Sequence, residues 1–232
     1  MDVGTCATVN QVMREYSKLK SCFQQGRKWN DMSENELWEE LCLCILSSNV
    51  PYELALSAFS HLRSERLLRP KWIIKCKSAV NKLSNELSKC IYLPKTKNGS
   101  CRKYRFPNTR AENIVKAAKT IYQRDNGLVQ LLKDIDDEEK ARDFLAMKIP
   151  GIGLKQASHF LRNIRYSESL AIIDSHVIAF LAEIGTIPSQ RIKTVTPEIY
   201  IRLEKIIRGL SESLDTDLSV FDMAVWQYMR RR

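Results

Sequence analysis

Residues 148–180 read KIPGIGLKQASHFLRNIRYSESLAIIDSHVIAF, and the order of two glycines, a lysine and an aspartate within them decides the fold. Pro150-Gly151-Ile152-Gly153 is a turn signal: both glycines tolerate a positive φ, and neither puts a Cβ in the way of an approaching ligand. Apolar residues at Ala141, Phe144, Leu145 and Met147 predict a helix before the turn; Ala157, Phe160, Leu161 and Ile164 predict another after it. A Gly-rich hairpin opening onto a helix start leaves backbone N–H groups unpaired at the positive end of the helix dipole. A phosphate can dock there without any side chain. Taken alone, the same turn also serves as a plain corner between packed helices.

Lys155 falls in the first turn of the second helix, where the dipole disfavours a cation and so favours the neutral amine. A neutral amine is a nucleophile for sugar or carbonyl carbons, giving Schiff bases; an ordinary phosphate contact is the alternative role. Asp174 follows the apolar run Leu170-Ala171-Ile172-Ile173 and precedes Val177, Phe180, Leu181 and Ile184 at helical spacing. It therefore reads as a helix N-cap. A capping carboxylate at the end of an apolar segment is also well placed to face a developing cation.

The pattern Ile149-Pro150-Gly151-Ile152-Gly153-x-Lys155, with Asp174-x-His176 beginning nineteen residues after the lysine, resembles the helix-hairpin-helix glycosylase superfamily of base-excision repair. The segments 155–163 and 170–174 are similar to its archaeal-type 8-oxoguanine DNA glycosylase/lyase branch. The resemblance implies that Lys155 is the catalytic nucleophile, that Asp174 is its catalytic partner, and that Gly151, Gly153 and His176 contact DNA phosphate. It implies a monovalent cation at the hairpin and no required cofactor. Some members carry a four-cysteine iron–sulfur cluster near the C-terminus; here no cysteine follows Cys101, so no cluster and no metal site are expected.

Composition agrees with a polyanionic partner. The 232 residues hold 37 Lys and Arg against 27 Asp and Glu, a net charge of +10. No apolar run approaches the roughly 20 residues that span a bilayer, and residues 1–20 lack a signal-peptide core, so a soluble intracellular protein with no membrane partner is expected. The seven cysteines are scattered and odd in number, which excludes a full disulfide framework. Cys42 and Cys44 lie in an apolar helical run and read as packing residues.

Periodicity predicts a first helix over 8–25, ended by Gly26. Ser33-Glu34-Asn35-Glu36 is a capping box that opens a second helix carrying Leu37, Leu41, Cys44 and Ile45. That helix runs into Ser47-Ser48-Asn49 and Pro51, a polar corner. Helices follow over 52–67 and 71–88. Residues 91–108, with two prolines, one glycine and five Lys or Arg, read as a basic loop. A helix over 110–122 comes next. Thr196-Pro197-Glu198 caps a later helix with proline at its first position, and Leu218, Phe221, Val225, Trp226 and Met229 give the last helix an apolar face. There is no strand-like alternation of useful length.

Three of these stretches gain a second meaning from the resemblance. Asn49 would enter the duplex and meet the base left unpaired by nucleotide extrusion, a role that suits a side chain able to donate and accept. Phe106, in Tyr104-Arg105-Phe106-Pro107-Asn108, reads as a core plug by itself and by resemblance as one face of the base pocket. Trp226 reads as a core residue and by resemblance as the other face. The branch places a C-terminal lysine near the base, whereas this sequence reads Arg230-Arg231-Arg232.

The expected fold is all-α: two helical lobes with a helix-hairpin-helix motif and a DNA-binding cleft between them. One lobe would comprise residues 1–32 and 185–232. The other would span 33–184, with the hairpin motif at about 138–165 and the Asp174 helix at 174–184. The expected function is that of a monomeric bifunctional glycosylase/lyase acting on double-stranded DNA that contains oxidised guanine. Alternatives are a glycosylase of the same fold for another damaged or mispaired base, and a non-catalytic helix-hairpin-helix DNA-binding module. A basic helical interaction protein without a nucleic-acid role is disfavoured by the hairpin.

Overall fold

The structure, a computed structural model, describes residues 3–24, 26–124, 127–188, 192 and 194–232. It is all-α, with one small two-stranded sheet among the described residues. The chain divides into two compact units: Met1–Lys28 with Leu161–Arg232, and Trp29–Phe160.

The second of these units begins with the 3₁₀ turn Trp29–Asp31, followed by the helix Glu34–Ser47, which is α2 in chain order. The capping box forms: Ser33 Oγ accepts from Glu36 N at 3.3 Å, and Glu36 Oε2 accepts from Ser33 N at 2.7 Å. Leu37, Leu41, Cys42, Cys44 and Ile45 are buried. Next come α3, Tyr52–Ser64, then α4, Pro70–Lys75, and α5, Ala79–Leu87. The single helix expected over 71–88 is thus two. At Cys76 the backbone turns extended, with ψ 108°, after its amide closes on Trp72 O, and a new turn has to start.

The segment read as a loop contains an antiparallel ladder of β1, Cys90–Tyr92, and β2, Arg102–Lys103. Its anchor is Tyr92, which is buried and donates to Glu86 O at 2.6 Å. One buried tyrosine holds a ladder too short to show a period of two. Helix α6, Pro107–Arg124, buries Ala111, Ile114, Ala117, Ala118 and Ile121 and packs on α5. Helix α7, Leu128–Lys133, has no counterpart in the sequence reading. Its capping group comes from far away: Glu34 accepts from Leu128 N at 2.7 Å and from Val129 N at 2.9 Å. Helix α8, Glu138–Lys148, is capped by Asp137. Met147, expected on its apolar face, is 73% exposed, and burial passes instead to Leu145 and Ile149.

In the other unit α1, Val3–Gln24, packs on α12, Leu218–Arg230. Tyr16 ties the two, donating to Asp217 Oδ2 at 3.0 Å and accepting from Asp217 N at 3.0 Å. Helices α10, Ser175–Glu183, and α11, Pro197–Ser213, also pack on α12, and Thr196 caps α11 through Ile199 N. This unit takes in residues 161–184, a span expected in the other lobe. The reason is packing: Phe180 of α10 meets Phe221 of α12 edge to face, with ring centroids 6.3 Å apart. The change of unit therefore falls within α9, Leu154–Asn163, between Phe160 and Leu161. No helix among the described residues is long and apolar enough to cross a membrane.

Candidate active site

The hairpin joins α8 to α9, and its two glycines do different jobs. Gly151 has φ +85°, and a Cβ there would lie 2.5 Å from Asn113 Nδ2 and 2.9 Å from Asn113 Cβ. Glycine is required by the fold at that position. Gly153 is exposed, lies outside the left-handed region, and has nothing within 4 Å of an added Cβ. Of the two glycines able to take a positive φ, only Gly151 uses that freedom; at Gly153 the missing side chain leaves open surface instead. Gly153 O accepts from Ala157 N at 2.9 Å, so Gly153 is the residue from which α9 departs. Lys155 follows in the first turn of α9 and is half-buried.

Asp174 is the N-cap of α10. Its Oδ1 accepts from both His176 N and Val177 N at 2.9 Å, so capping engages one oxygen and leaves Oδ2 outside the cap. The chain leading to it has no helical or sheet partner, yet Leu170, Ala171, Ile172 and Ile173 are all buried. Buried amides need acceptors: Ser167 Oγ takes Leu170 N at 3.2 Å, and side chains from two helices supply the other three. Glu204 of α11 accepts from Ala171 N at 3.1 Å, Asp222 of α12 accepts from Ile172 N at 2.5 Å, and Tyr200 Oη lies 3.4 Å from Ile173 N while donating to Ala171 O at 2.9 Å. Arg162 of α9 in turn pairs with Asp222. Burial pushes the Asp222 carboxyl up to about 6, against Arg162 and the Ile172 amide, which favour its ionised form. None of Tyr200, Glu204 and Asp222 was singled out from sequence. Each sits on a helix where it reads as an ordinary polar position, and only folding shows which backbone group it serves.

A second constellation lies in the other unit. Helix α2 ends at Ser47, and Asn49 is exposed at φ +56°. Phe106, a core plug by itself and a face of the base pocket by the resemblance, is 39% exposed and sits at φ +80°, where a bulky residue is rarely found. It is the residue from which α6 departs, and Arg110 N donates to its carbonyl at 3.1 Å. The guanidinium carbons of Arg105 and Arg110 lie 4.8 Å and 5.6 Å from the ring centroid. The structure joins this ring to the Asn49 corner: Arg110 Nη2 donates to Ser48 O at 2.6 Å, and Tyr104 Oη donates to Leu46 O at 2.5 Å. Asn108, at the end of the same segment, accepts from Ser84 of α5.

Trp226, the other aromatic residue, is half-buried rather than a full core residue, because α12 turns this position toward His176 and Arg230 instead of inward. His176 meets it edge to face at 6.4 Å, and the Arg230 guanidinium lies 4.8 Å from its centroid. The remaining arginines of the tail are paired, Arg231 with Glu15 at 3.0 Å and Arg232 with Glu183 at 2.5 Å. Lys155 and the hairpin belong to one compact unit, with Asn49 and Phe106; Asp174, His176 and Trp226 belong to the other.

Comparison with known proteins sets these residues in a family. An 8-oxoguanine DNA glycosylase of the helix-hairpin-helix type is the family profile that matches residues 19–216. The 8-oxoguanine DNA glycosylase/AP lyase of Saccharolobus solfataricus is 32% identical over 198 residues, covering 85% of this chain and 84% of that protein. The crystal structure of the Methanocaldococcus jannaschii 8-oxoguanine glycosylase/lyase in complex with DNA containing 8-oxoguanine superposes with a TM-score of 0.69 at 27% identity, covering 95% of this chain and 90% of that one. The 8-oxoguanine DNA glycosylase of Thermotoga maritima superposes with a TM-score of 0.72 at 26% identity, covering 96% and 95%. With the hairpin, the lysine behind it and the capped aspartate all inside the matched stretch, the chain belongs to the 8-oxoguanine DNA glycosylase family.

Proposed function

We infer that this chain binds duplex DNA and removes 8-oxoguanine as a bifunctional glycosylase/AP lyase, with Lys155 as nucleophile and Asp174 as its electrostatic partner. What supports the reading is a lysine in the first turn of α9, directly behind a glycine hairpin, in a chain of this family.

A base inside a duplex is out of reach of any side chain, so the damaged nucleotide is rotated out of the stack at a cost of a few kcal/mol. Backbone amides at Gly151 and Gly153 offset part of that cost on the phosphates, His176 contributes another phosphate contact, Asn49 fills the vacated position, and Phe106 and Trp226 stack on the extruded base. As the bond from C1′ to the base stretches, positive charge grows on the sugar, and Asp174 Oδ2 stabilises it. The Lys155 amine forms a bond to C1′, the base leaves with the electron pair of the broken bond, and opening of the sugar ring gives an imine. That imine acidifies the C2′ protons. Loss of one of them expels the 3′ phosphate oxygen and cuts the strand by β-elimination.

Borohydride reduces such an imine to a stable bond. Protein incubated with an 8-oxoguanine oligonucleotide and borohydride should give a covalent complex, and Lys155→Gln should abolish it; normal trapping by that variant refutes the nucleophile assignment. Asp174→Asn should bind the same DNA but release base about 10²- to 10³-fold more slowly, as for loss of one preorganised electrostatic group.

A further inference from the structure

We propose that Arg110 is a positioning residue that couples the opening of the duplex at Asn49 to the stacking of the extruded base on Phe106. The inference rests on the roles of Asn49 and Phe106 given above and adds a link between them.

The link is physical. Arg110 is buried, and its Nη2 holds Ser48 O at 2.6 Å, on the residue immediately before Asn49. The same guanidinium lies 5.6 Å from the Phe106 centroid, and the Arg110 amide holds the Phe106 carbonyl. Its Nε is buried without a hydrogen-bond partner. The guanidinium is therefore not oriented to satisfy all its own donors; its orientation follows the Ser48 carbonyl, the Phe106 ring and the Tyr104 hydroxyl beside it. Tyr104, next to Arg110, fastens the same helix end through Leu46 O. Burial pushes the Tyr104 phenol up, so it stays a neutral donor.

Neither end of this link is free to relax independently. Asn49 and Phe106 both sit at positive φ, where a small backbone rotation meets steep steric walls. A shift of the corner on entering a duplex is thus carried by one rigid planar group to the ring that must meet the base. Lysine would not substitute. A single ammonium cannot hold the Ser48 carbonyl and lie along an aromatic face together, as a planar fork can.

The test is a double-mutant cycle. Asn49→Ala, Phe106→Ala and the double variant are compared with the parent by the fluorescence of 2-aminopurine placed beside the lesion, which reads unstacking, and by single-turnover base release. The cycle is repeated in Arg110→Lys and Arg110→Met backgrounds, with melting temperature as the control for folding. With Arg110 present, the loss in the double variant should be smaller than the product of the single losses by about 10-fold, within the range of coupling between residues of one network. In both Arg110 backgrounds the losses should multiply. Multiplying losses in the parent, or undiminished coupling without Arg110, overturns the proposal. The Lys background carries the test if the Met variant does not fold. Absence of base release by the parent would refute the proposed function instead, and the fluorescence cycle would still decide whether Arg110 couples the two residues.

Discussion

The segment ending at Asp174 and the segment carrying Phe106 are supported in opposite ways. Residues 170–173 are buried, and three of their amides are met by side chains from α11 and α12. Phe106 is exposed, sits at a disfavoured φ, and depends on two arginines and one helix-end carbonyl. The difference fits the roles proposed for each. A carboxylate proposed to stabilise a transient cation has to be in place beforehand, since reorganisation at the moment of reaction would cost most of the benefit. A surface proposed to receive a flipped base has to be accessible, and its backbone strain is tolerated because the surrounding contacts hold it.

The strongest test of the braced segment is Asp222→Ala. It removes the acceptor of Ile172 N and the partner of Arg162 together, and should cost about 3–5 kcal/mol as the breaking of a buried pair does. A variant as stable as the parent in urea would show that side chains do not brace the segment. Asp222→Asn keeps an acceptor but cannot ionise. Because the folded carboxyl titrates at about 6 and the ordinary value is 3.8, the stability Asp222 contributes is fully present below 3.8 and is lost as pH rises through about 6. Melting curves across that window should slope downward for the parent and lie flatter for Asp222→Asn.

A smaller effect separates fold from contact at the hairpin. Gly151→Ala should lose about 2 kcal/mol, from the left-handed backbone and the collision with Asn113. Gly153→Ala should change stability by no more than about 0.5 kcal/mol, as at open surface positions, while weakening DNA binding. Equal DNA affinity for Gly153→Ala and parent, measured across a salt series, would mean that no phosphate approaches that backbone.

The smallest expected effect concerns Phe106. Both Phe106→Gly and Phe106→Ala delete the ring and should impair base release equally. The glycine variant should nonetheless be more stable by about 1 kcal/mol, because only it accepts φ +80° without a Cβ penalty. Equal melting temperatures would remove strain from the comparison.

Elements whose determinants are local were legible from sequence. The capping box at Ser33, the proline start at Thr196-Pro197, and the helix, hairpin and helix of 138–163 rest on contacts within a few residues, and each forms. The buried placement of Cys42 and Cys44 follows equally from helical spacing. Helix α7 and the β1–β2 ladder were not legible, since Glu34 caps the former from 94 residues away and buried Tyr92 anchors the latter. The exposure of Phe106 and Met147 and the partial exposure of Trp226 were hidden for a related reason. Apolar spacing reports which residues are able to be buried, not which ones neighbouring elements actually cover.

By itself, then, the amino-acid order determined the helical class, the glycine corner, the lysine behind it and the aspartate at the start of α10. Only the folded chain decided that Glu204, Asp222 and Tyr200 hold the approach to that aspartate, and that Arg110 joins Ser48 to Phe106. The physical reason is that a cap or a turn is satisfied by its sequence neighbours, whereas a buried amide or carbonyl takes whichever partner packing delivers.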